Sequence, residues 1–262
     1  MTKLQLAVIG LGIGLFGILY FGFDTKPKKQ EVVERSRTLA SESTSADALI
    51  KDAKAELSAA QSNTILALEA ELENMFSDSA KVKVFEQLSG RWFEFGHPSI
   101  AGVYAQQIAE SANTEESWSI AATTYTICSQ RSQKEKVRSF CSNRAVRAFE
   151  NAISINPENV QHKVNLALCY AENPPKDNPM KGVTMLIGLN SEYPENVLVL
   201  NSLGRLAIKT GQFERAVQRL GQALAKSPDN TDTNCLLARA YQGLGDAEKT
   251  EQFRVKCEQL LN

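Results

Sequence analysis

Three short strings recur in the C-terminal half of the chain: Asn156-Pro157-Glu158-Asn159, Tyr193-Pro194-Glu195-Asn196 and Ser227-Pro228-Asp229-Asn230. Their prolines are 37 and 34 residues apart. A period near 34 residues with a terminal proline is typical of helix–turn–helix solenoids. In each string the proline ends one helix because it has no backbone N–H, and the acidic residue and asparagine begin the next helix by capping it. The strings therefore predict an all-α fold built from successive helix pairs.

The segment between the last two strings, residues 197–230, carries the fullest repeat pattern. Small residues stand where two paired helices approach closely, and large apolar residues fill the core beside them. The pattern positions are Leu200, Leu203, Gly204, Ala207, Ala216, Leu220, Ala223 and Pro228. This set resembles the tetratricopeptide repeat family. The resemblance implies two antiparallel helices in each unit and a concave groove lined by the first helix of each.

The resemblance covers about residues 80–262 and is weakest at its start. We divide it into a helix pair at 78–114 and a solenoid at 115–262. The units of the solenoid are 115–159, 160–196, 197–230 and a capping unit at 231–262. In the first of these, either the connection between the helices is too long or the second helix starts early, and the second unit carries a proline-rich insertion at 173–179.

The N-terminal sequence has a different character. Residues 4–23 contain one strongly polar side chain, Gln5. Twenty residues of helix span about 30 Å, the thickness of a bilayer's hydrocarbon core. We therefore expect a transmembrane anchor at 4–23, followed by a polar linker at 24–44. A cleavable signal peptide is the alternative, although the span ends without a small-residue cleavage pattern.

Basic residues follow the predicted anchor more densely than they precede it. Lys3 stands before it, and the basic residues soon after it are Lys26, Lys28, Lys29, Arg35 and Arg37. The positive-inside rule then predicts a single-pass membrane protein whose large C-terminal part is cytoplasmic. The margin is modest, so an extracytoplasmic domain stays open.

Apolar residues recur at steps of three or four through residues 45–77, from Leu49 to Met75. The pattern predicts one long amphipathic helix that begins at the capping sequence Thr44-x-x-Asp47. A stripe of this length must pack either on the following domain or on a second copy of the chain. We favour docking on the domain, and a homodimer through the anchor or the long helix stays open.

Family resemblance places six polar residues in the concave groove. They are Asn165, Asn201, Arg205, Lys209, Arg239 and Gln242. This mildly basic strip is suited to an acidic or extended peptide, and an ordinary solvated surface is the alternative.

The carboxylate clamp known from the family is not expected. It would need lysine at Val164, asparagine at Leu168, lysine at Asp232 and arginine at Leu236. Those positions are apolar or of opposite charge.

Motifs for catalysis are also missing from the sequence. No glycine-rich phosphate loop follows a predicted strand, and the chain has two histidines, His97 in a turn and His162 at a helix start facing water. We expect no enzyme activity, no catalytic residues, no metal and no cofactor. The net charge of −1, from 29 basic and 30 acidic residues, argues against a nucleic-acid partner.

The five cysteines are scattered, at Cys128, Cys141, Cys169, Cys235 and Cys257. An odd number of dispersed thiols suits a reducing compartment. Cys169 and Cys257 occupy small-residue helix positions and are expected to be buried thiols. Cys128 and Cys141 flank the long connection, and a disulfide between them would indicate an extracytoplasmic domain.

These features predict a membrane-tethered scaffold that binds proteins or peptides in its groove. Tethering would raise the local concentration of the partner. The alternative is an extracytoplasmic assembly chaperone for envelope or cytochrome-maturation complexes, which resembles other anchored proteins of this repeat family. It requires the opposite topology.

Overall fold

The computed structural model describes residue 5, residues 45–75 and residues 77–261. From residue 46 onward the described part forms twelve helices and no strand, which confirms the predicted all-α fold. The helices are α1 (Ala46–Glu56), α2 (Ala59–Glu73), α3 (Asp78–Glu94), α4 (Pro98–Ala112), α5 (Glu115–Arg131), α6 (Glu135–Ile155), α7 (Val160–Glu172), α8 (Lys181–Glu192), α9 (Val197–Lys209), α10 (Phe213–Lys226), α11 (Thr231–Leu244) and α12 (Ala247–Leu261).

The predicted anchor at 4–23 and linker at 24–44 lie outside the described residues, apart from Gln5. Among the helices of the described part, none has the length and apolarity needed to cross a membrane. The anchor and the linker therefore stay predictions.

Two helices replace the single helix predicted for residues 45–77. Ser58 ends the connection from α1 and caps α2, because its side chain accepts a hydrogen bond from the Gln61 N–H and its own N–H donates to Gln61 Oε1. This capping box starts a new helix at Ala59. The apolar spacing continues across the break, so periodicity alone gave no sign of it.

The apolar stripe of α1 and α2 is used within the chain. Ala53, Ile65 and Leu68 are buried in a core that includes Leu88 and Trp92 of α3. Docking on the following domain is therefore confirmed for this stripe. The same burial leaves it unavailable for the alternative coiled coil with a second copy.

The hairpin of α5 and α6 is longer than the other pairs. α5 has 17 residues and α6 has 21, and the two helices take up nearly all of the unit. Only residues 132–134 connect them. The extra sequence in this unit is helix, so the second helix starts early and the alternative of a long connection is wrong. A disulfide between Cys128 and Cys141 joins the two helices near the turn, with their Cα atoms 5.9 Å apart.

The recurring strings form the junctions between units, as predicted. Each final asparagine is an N-cap: Asn159 accepts from the N–H of Gln161, Asn196 from those of Leu198 and Val199, and Asn230 from that of Thr233. Such side-chain caps satisfy backbone donors that no residue within the helix can reach.

Close packing inside the pairs depends on small residues. A Cβ added to Gly182 of α8 would overlap the carbonyl oxygen of Ala167 and the backbone of Ala171 in α7. Backbone atoms cannot rotate away as a side chain can. The contact therefore sets how near α8 lies to α7.

Gly182→Ala should lower the free energy of unfolding by about 1–3 kcal/mol, the usual cost of overpacking. Gly188→Ala on the same helix is the matched control, because a Cβ there meets nothing within 4 Å. It should raise the free energy of unfolding by about 0.5–1 kcal/mol. Urea titration followed by circular dichroism measures both. Equal effects from the two variants would contradict this account of the helix contact.

Candidate protein-binding face

The six predicted groove residues lie on the first helices of three successive units. Asn165 is on α7, Asn201, Arg205 and Lys209 are on α9, and Arg239 and Gln242 are on α11. Helix α9 packs against both α7 and α11. The structure therefore brings these helices together, but it gives the six side chains different surroundings.

Asn201 is not a groove residue, which corrects the prediction. Its side chain is only 2% exposed. Its Nδ2 donates to Asn230 Oδ1 at 3.1 Å, and its Oδ1 accepts from the Thr233 hydroxyl at 2.9 Å. These two hydrogen bonds give the buried amide its partners and connect α9 to the start of α11.

Arg205 forms an ion pair between the same two helices. Its Nη2 lies 2.8 and 2.9 Å from the two carboxylate oxygens of Asp232. Both side chains are about half exposed, so the pair adds little stability. The contact marks where the exposed surfaces of α9 and α11 meet.

Lys209, Arg239 and Gln242 are exposed, and Asn165 is half-buried and accepts a hydrogen bond from Gln161. Among the ion pairs of the described residues, none involves Lys209 or Arg239. These two cations are therefore the residues of the predicted strip best placed to meet an acidic group from outside.

The positions of the family's carboxylate clamp are filled by other structure. Val164 is fully buried, Leu236 is 3% exposed, and Asp232 is engaged with Arg205. These three positions are therefore occupied by packing or by an ion pair within the chain.

A second polar cluster joins α5 to the α6–α7 junction, and sequence reasoning missed it. The Glu115 carboxylate accepts from Asn156 Nδ2 at 2.8 Å and Asn159 Nδ2 at 2.6 Å, with His162 Nε2 2.8 Å away. These hydrogen bonds, led by that from Asn156, lower the pKa of Glu115. His162 is 5% exposed, so its predicted place facing water is wrong. The only sequence signal was that Asn156 and Asn159 belong to a recurring string.

His97 lies in the predicted turn. It precedes Pro98 at the start of α4, and its ring meets the edge of the Trp92 ring, with centroids 5.5 Å apart.

Four of the five cysteines are paired. Besides Cys128–Cys141, a second disulfide joins Cys235 of α11 to Cys257 of α12, with Cα atoms 4.9 Å apart. The prediction of a free buried thiol at Cys257 is therefore wrong. Cys169 is free and buried, as predicted, and burial raises the pKa of its thiol to about 11.

Comparison with known families agrees with this geometry. Residues 207–253 match the family model described as tetratricopeptide repeat, from the end of α9 into α12. Residues 207–253 thus match a tetratricopeptide repeat, and the described part of the chain has the succession of helix pairs that is typical of such repeats.

One curated relative and two solved structures show the range of similar proteins. Lipopolysaccharide assembly protein B of Haemophilus influenzae is 29% identical over 123 residues, which are 45% of this chain and 31% of that protein. The chain thus spans about a third of that relative. PilW, a type IV pilus biogenesis factor, is 18% identical, with 69% of this chain and 77% of that chain covered and a TM-score of 0.47. MamA from Desulfovibrio magneticus RS-1 is 15% identical, with 68% and 94% covered and a TM-score of 0.44. Neither structural likeness assigns a function to this chain.

The cluster around Glu115 predicts a pH dependence of stability. The pKa of Glu115 is lower in the folded chain than its ordinary value of 4.5, so the carboxylate contributes stability that is present above pH 4.5. That contribution should be lost as the pH falls below this value toward the folded pKa. Glu115→Gln should lower the stability at pH 7 and flatten its decline in acid.

Thermal unfolding between pH 3 and pH 7 measures the effect. Glu116→Gln is the control, because Glu116 is the exposed neighbour on the same helical turn. It should follow the parent curve. If the stability of Glu115→Gln and that of the parent change with pH in the same way, the Glu115 carboxylate does not stabilise this junction.

Proposed function

We propose that this chain is a membrane-tethered tetratricopeptide scaffold that binds acidic segments of partner proteins on the exposed surface where α9 and α11 meet. The observation that carries the proposal is the pair of exposed cations, Lys209 and Arg239, on neighbouring first helices. The tether is residues 4–23, on the sequence argument given above.

The Arg205–Asp232 contact locates these cations. Lys209 follows Arg205 by one helical turn, and Arg239 follows Asp232 by two turns. Residues at these spacings lie on one side of a helix. Since Arg205 and Asp232 meet between α9 and α11, both cations lie along the same boundary. Asp232 neutralises Arg205 and leaves the other two charges for a partner.

A partner of opposite charge is the best match for this surface. Complementary charge steers association and sets specificity more than it sets affinity. An extended segment with two or more acidic side chains could meet Lys209 and Arg239 together, and Gln242 adds a neutral hydrogen-bonding group beyond them. Binding should therefore weaken as salt is added.

We propose further that the helical domain is extracytoplasmic. Disulfides persist in oxidising compartments and are rare in the cytosol. The pairs Cys128–Cys141 and Cys235–Cys257 support this placement over the cytoplasmic one expected from the basic residues after residue 23. Covalent pairing of four cysteines needs an oxidising environment, whereas charge bias is a tendency with exceptions.

The second candidate function is an assembly factor for complexes of the cell envelope. The same two disulfides favour it, because it requires the extracytoplasmic topology. A relative named for lipopolysaccharide assembly, at 29% identity over 45% of this chain, also suits it. In this case the partner is a component awaiting assembly.

Reversal of the two exposed charges tests the binding surface. Lys209→Glu combined with Arg239→Glu should weaken binding of acidic peptides at least tenfold and leave the fold intact, because both side chains are exposed. An array of extended peptides rich in Asp and Glu, read by fluorescence polarisation, provides the measurement. Lys136→Glu combined with Lys176→Glu reverses two exposed charges away from α9 and α11 and should change little. Equal losses from both double variants would show that binding depends on the net charge of the protein and not on this surface.

Protease treatment of intact cells tests the topology. The helical domain should be digested from outside, and Cys128, Cys141, Cys235 and Cys257 should resist maleimide labelling until a reductant is added. Cys169 should react only after unfolding because it is buried. Protection from protease together with reduced thiols would indicate that the helical domain is cytoplasmic.

A further inference from the structure

The last helix, α12, is attached to the domain differently from the other helices. Each helix within residues 46–244 buries at least one residue, whereas α12 buries none. It packs on α11 through half-buried residues, and the ring of Phe253 stacks on that of Tyr241 with the centroids 5.5 Å apart. An ion pair between the largely exposed side chains of Lys256 and Asp229 adds little stability. Packing by itself therefore holds α12 weakly, because little apolar surface is removed from water.

The disulfide Cys235–Cys257 ties the C-terminal part of α12 to α11. Both cysteines are half-buried, so each keeps part of its surface in contact with solvent. Reduction of a disulfide requires a thiolate to reach one of its sulfur atoms. A thiolate in solvent therefore has access to this bond while the domain stays folded.

The disulfide Cys128–Cys141 differs in both accessibility and surroundings. Its cysteines are 1% and 0% exposed, so solvent does not reach them in the folded chain. The helices that it joins also share a core, in which α6 buries Phe140, Phe149 and Ala152. Loss of this bond would therefore leave α6 packed on α5, whereas loss of Cys235–Cys257 would leave α12 with few other contacts.

We infer that Cys235–Cys257 is a reducible latch that holds α12 on α11, and that a dithiol opens it. One thiolate of the dithiol attacks a sulfur of the latch, forms a mixed disulfide and displaces the other cysteine. The second thiolate of the dithiol then displaces the remaining cysteine. The dithiol is oxidised to a disulfide, the latch is reduced to two thiols, and the two protons lost by the dithiol end on Cys235 and Cys257.

Opening the latch changes the surface at the C-terminal end of the domain. In the oxidised chain, Phe253 of α12 covers the edge of a core cluster that includes Leu237 and Ala240 of α11. In the reduced chain, α12 should separate from α11, and this edge and Tyr241 then meet water. Solenoids need a polar cap at their ends. The redox state of the latch thus decides whether the domain ends in a polar or an apolar surface, and this inference needs neither the proposed anchor nor the proposed partner surface.

Graded reduction of the full chain tests the access to the latch. The oxidised protein is treated with dithiothreitol under native conditions, and the freed thiols are trapped with a maleimide and located by mass spectrometry. Cys235 and Cys257 should be labelled at least tenfold faster than Cys128 and Cys141. Cys169 serves as the internal control for unfolding, because it is a buried free thiol in the folded chain.

Hydrogen exchange tests whether loss of the bond releases α12. Cys235→Ala combined with Cys257→Ala should lower the amide protection of α12 at least tenfold and leave that of α9 unchanged. The retained protection of α9 shows that the variant folds. Cys128→Ala combined with Cys141→Ala is the matched control, and both α6 and α12 should stay protected in it.

A fluorescent dye that binds apolar surface detects the uncovered side of α11. Its emission should rise when dithiothreitol reduces the parent chain and should fall again when the thiols are reoxidised. The variant without the latch should show the higher emission before any reductant is added.

Three results would overturn the inference. Equal labelling rates at all four disulfide cysteines would show that solvent does not reach this bond preferentially. Unchanged protection of α12 in the variant without the latch would show that packing alone holds the helix. Loss of protection in α9 together with α12 would show that the bond stabilises the domain as a whole and does not act as a latch.

Discussion

The asparagine that follows each proline is the constraint on which the solenoid depends. At Asn159, Asn196 and Asn230 the side chain caps a first helix, so each new unit begins at a fixed residue. The proline two residues earlier cannot continue the previous helix. The length between these junctions then sets where every later residue of the unit lies.

Two of these asparagines also hold neighbouring units together. Asn159 Oδ1 caps α7 while its Nδ2 donates to Glu115 of α5. Asn230 Oδ1 caps α11 and also accepts from Asn201 of α9. A cap therefore also connects neighbouring first helices: Glu115 and Asn201 each hydrogen-bond to the asparagine that starts a following first helix. The exposed cations Lys209 and Arg239 lie on helices positioned in this way.

The two ends of the domain differ in the kind of surface that their terminal helices turn outward. At one end, α12 is covalently joined to α11 and turns a charged side outward. At the other, α1 and α2 cover the first helix pair with one apolar side, and α2 turns a second one outward. The exposed boundary of α9 and α11, between these two ends, leads to the proposed partner binding.

The sequence by itself determined the all-α fold, the limits of the helix pairs and the capping junctions, because these depend on proline, asparagine and apolar spacing over a few turns. Lys209 and Arg239, which family resemblance places in the groove, are exposed in the structure. Only the tertiary structure decided that Ser58 divides the long helix, since the apolar stripe continues through the break. Only the tertiary structure buried Asn201 and His162, gathered Asn156, Asn159 and His162 around Glu115, and paired Cys235 with Cys257. These hydrogen bonds and this disulfide join residues 22 to 47 positions apart. Local pattern carries no information on such pairs, because their geometry exists only after the helices have packed.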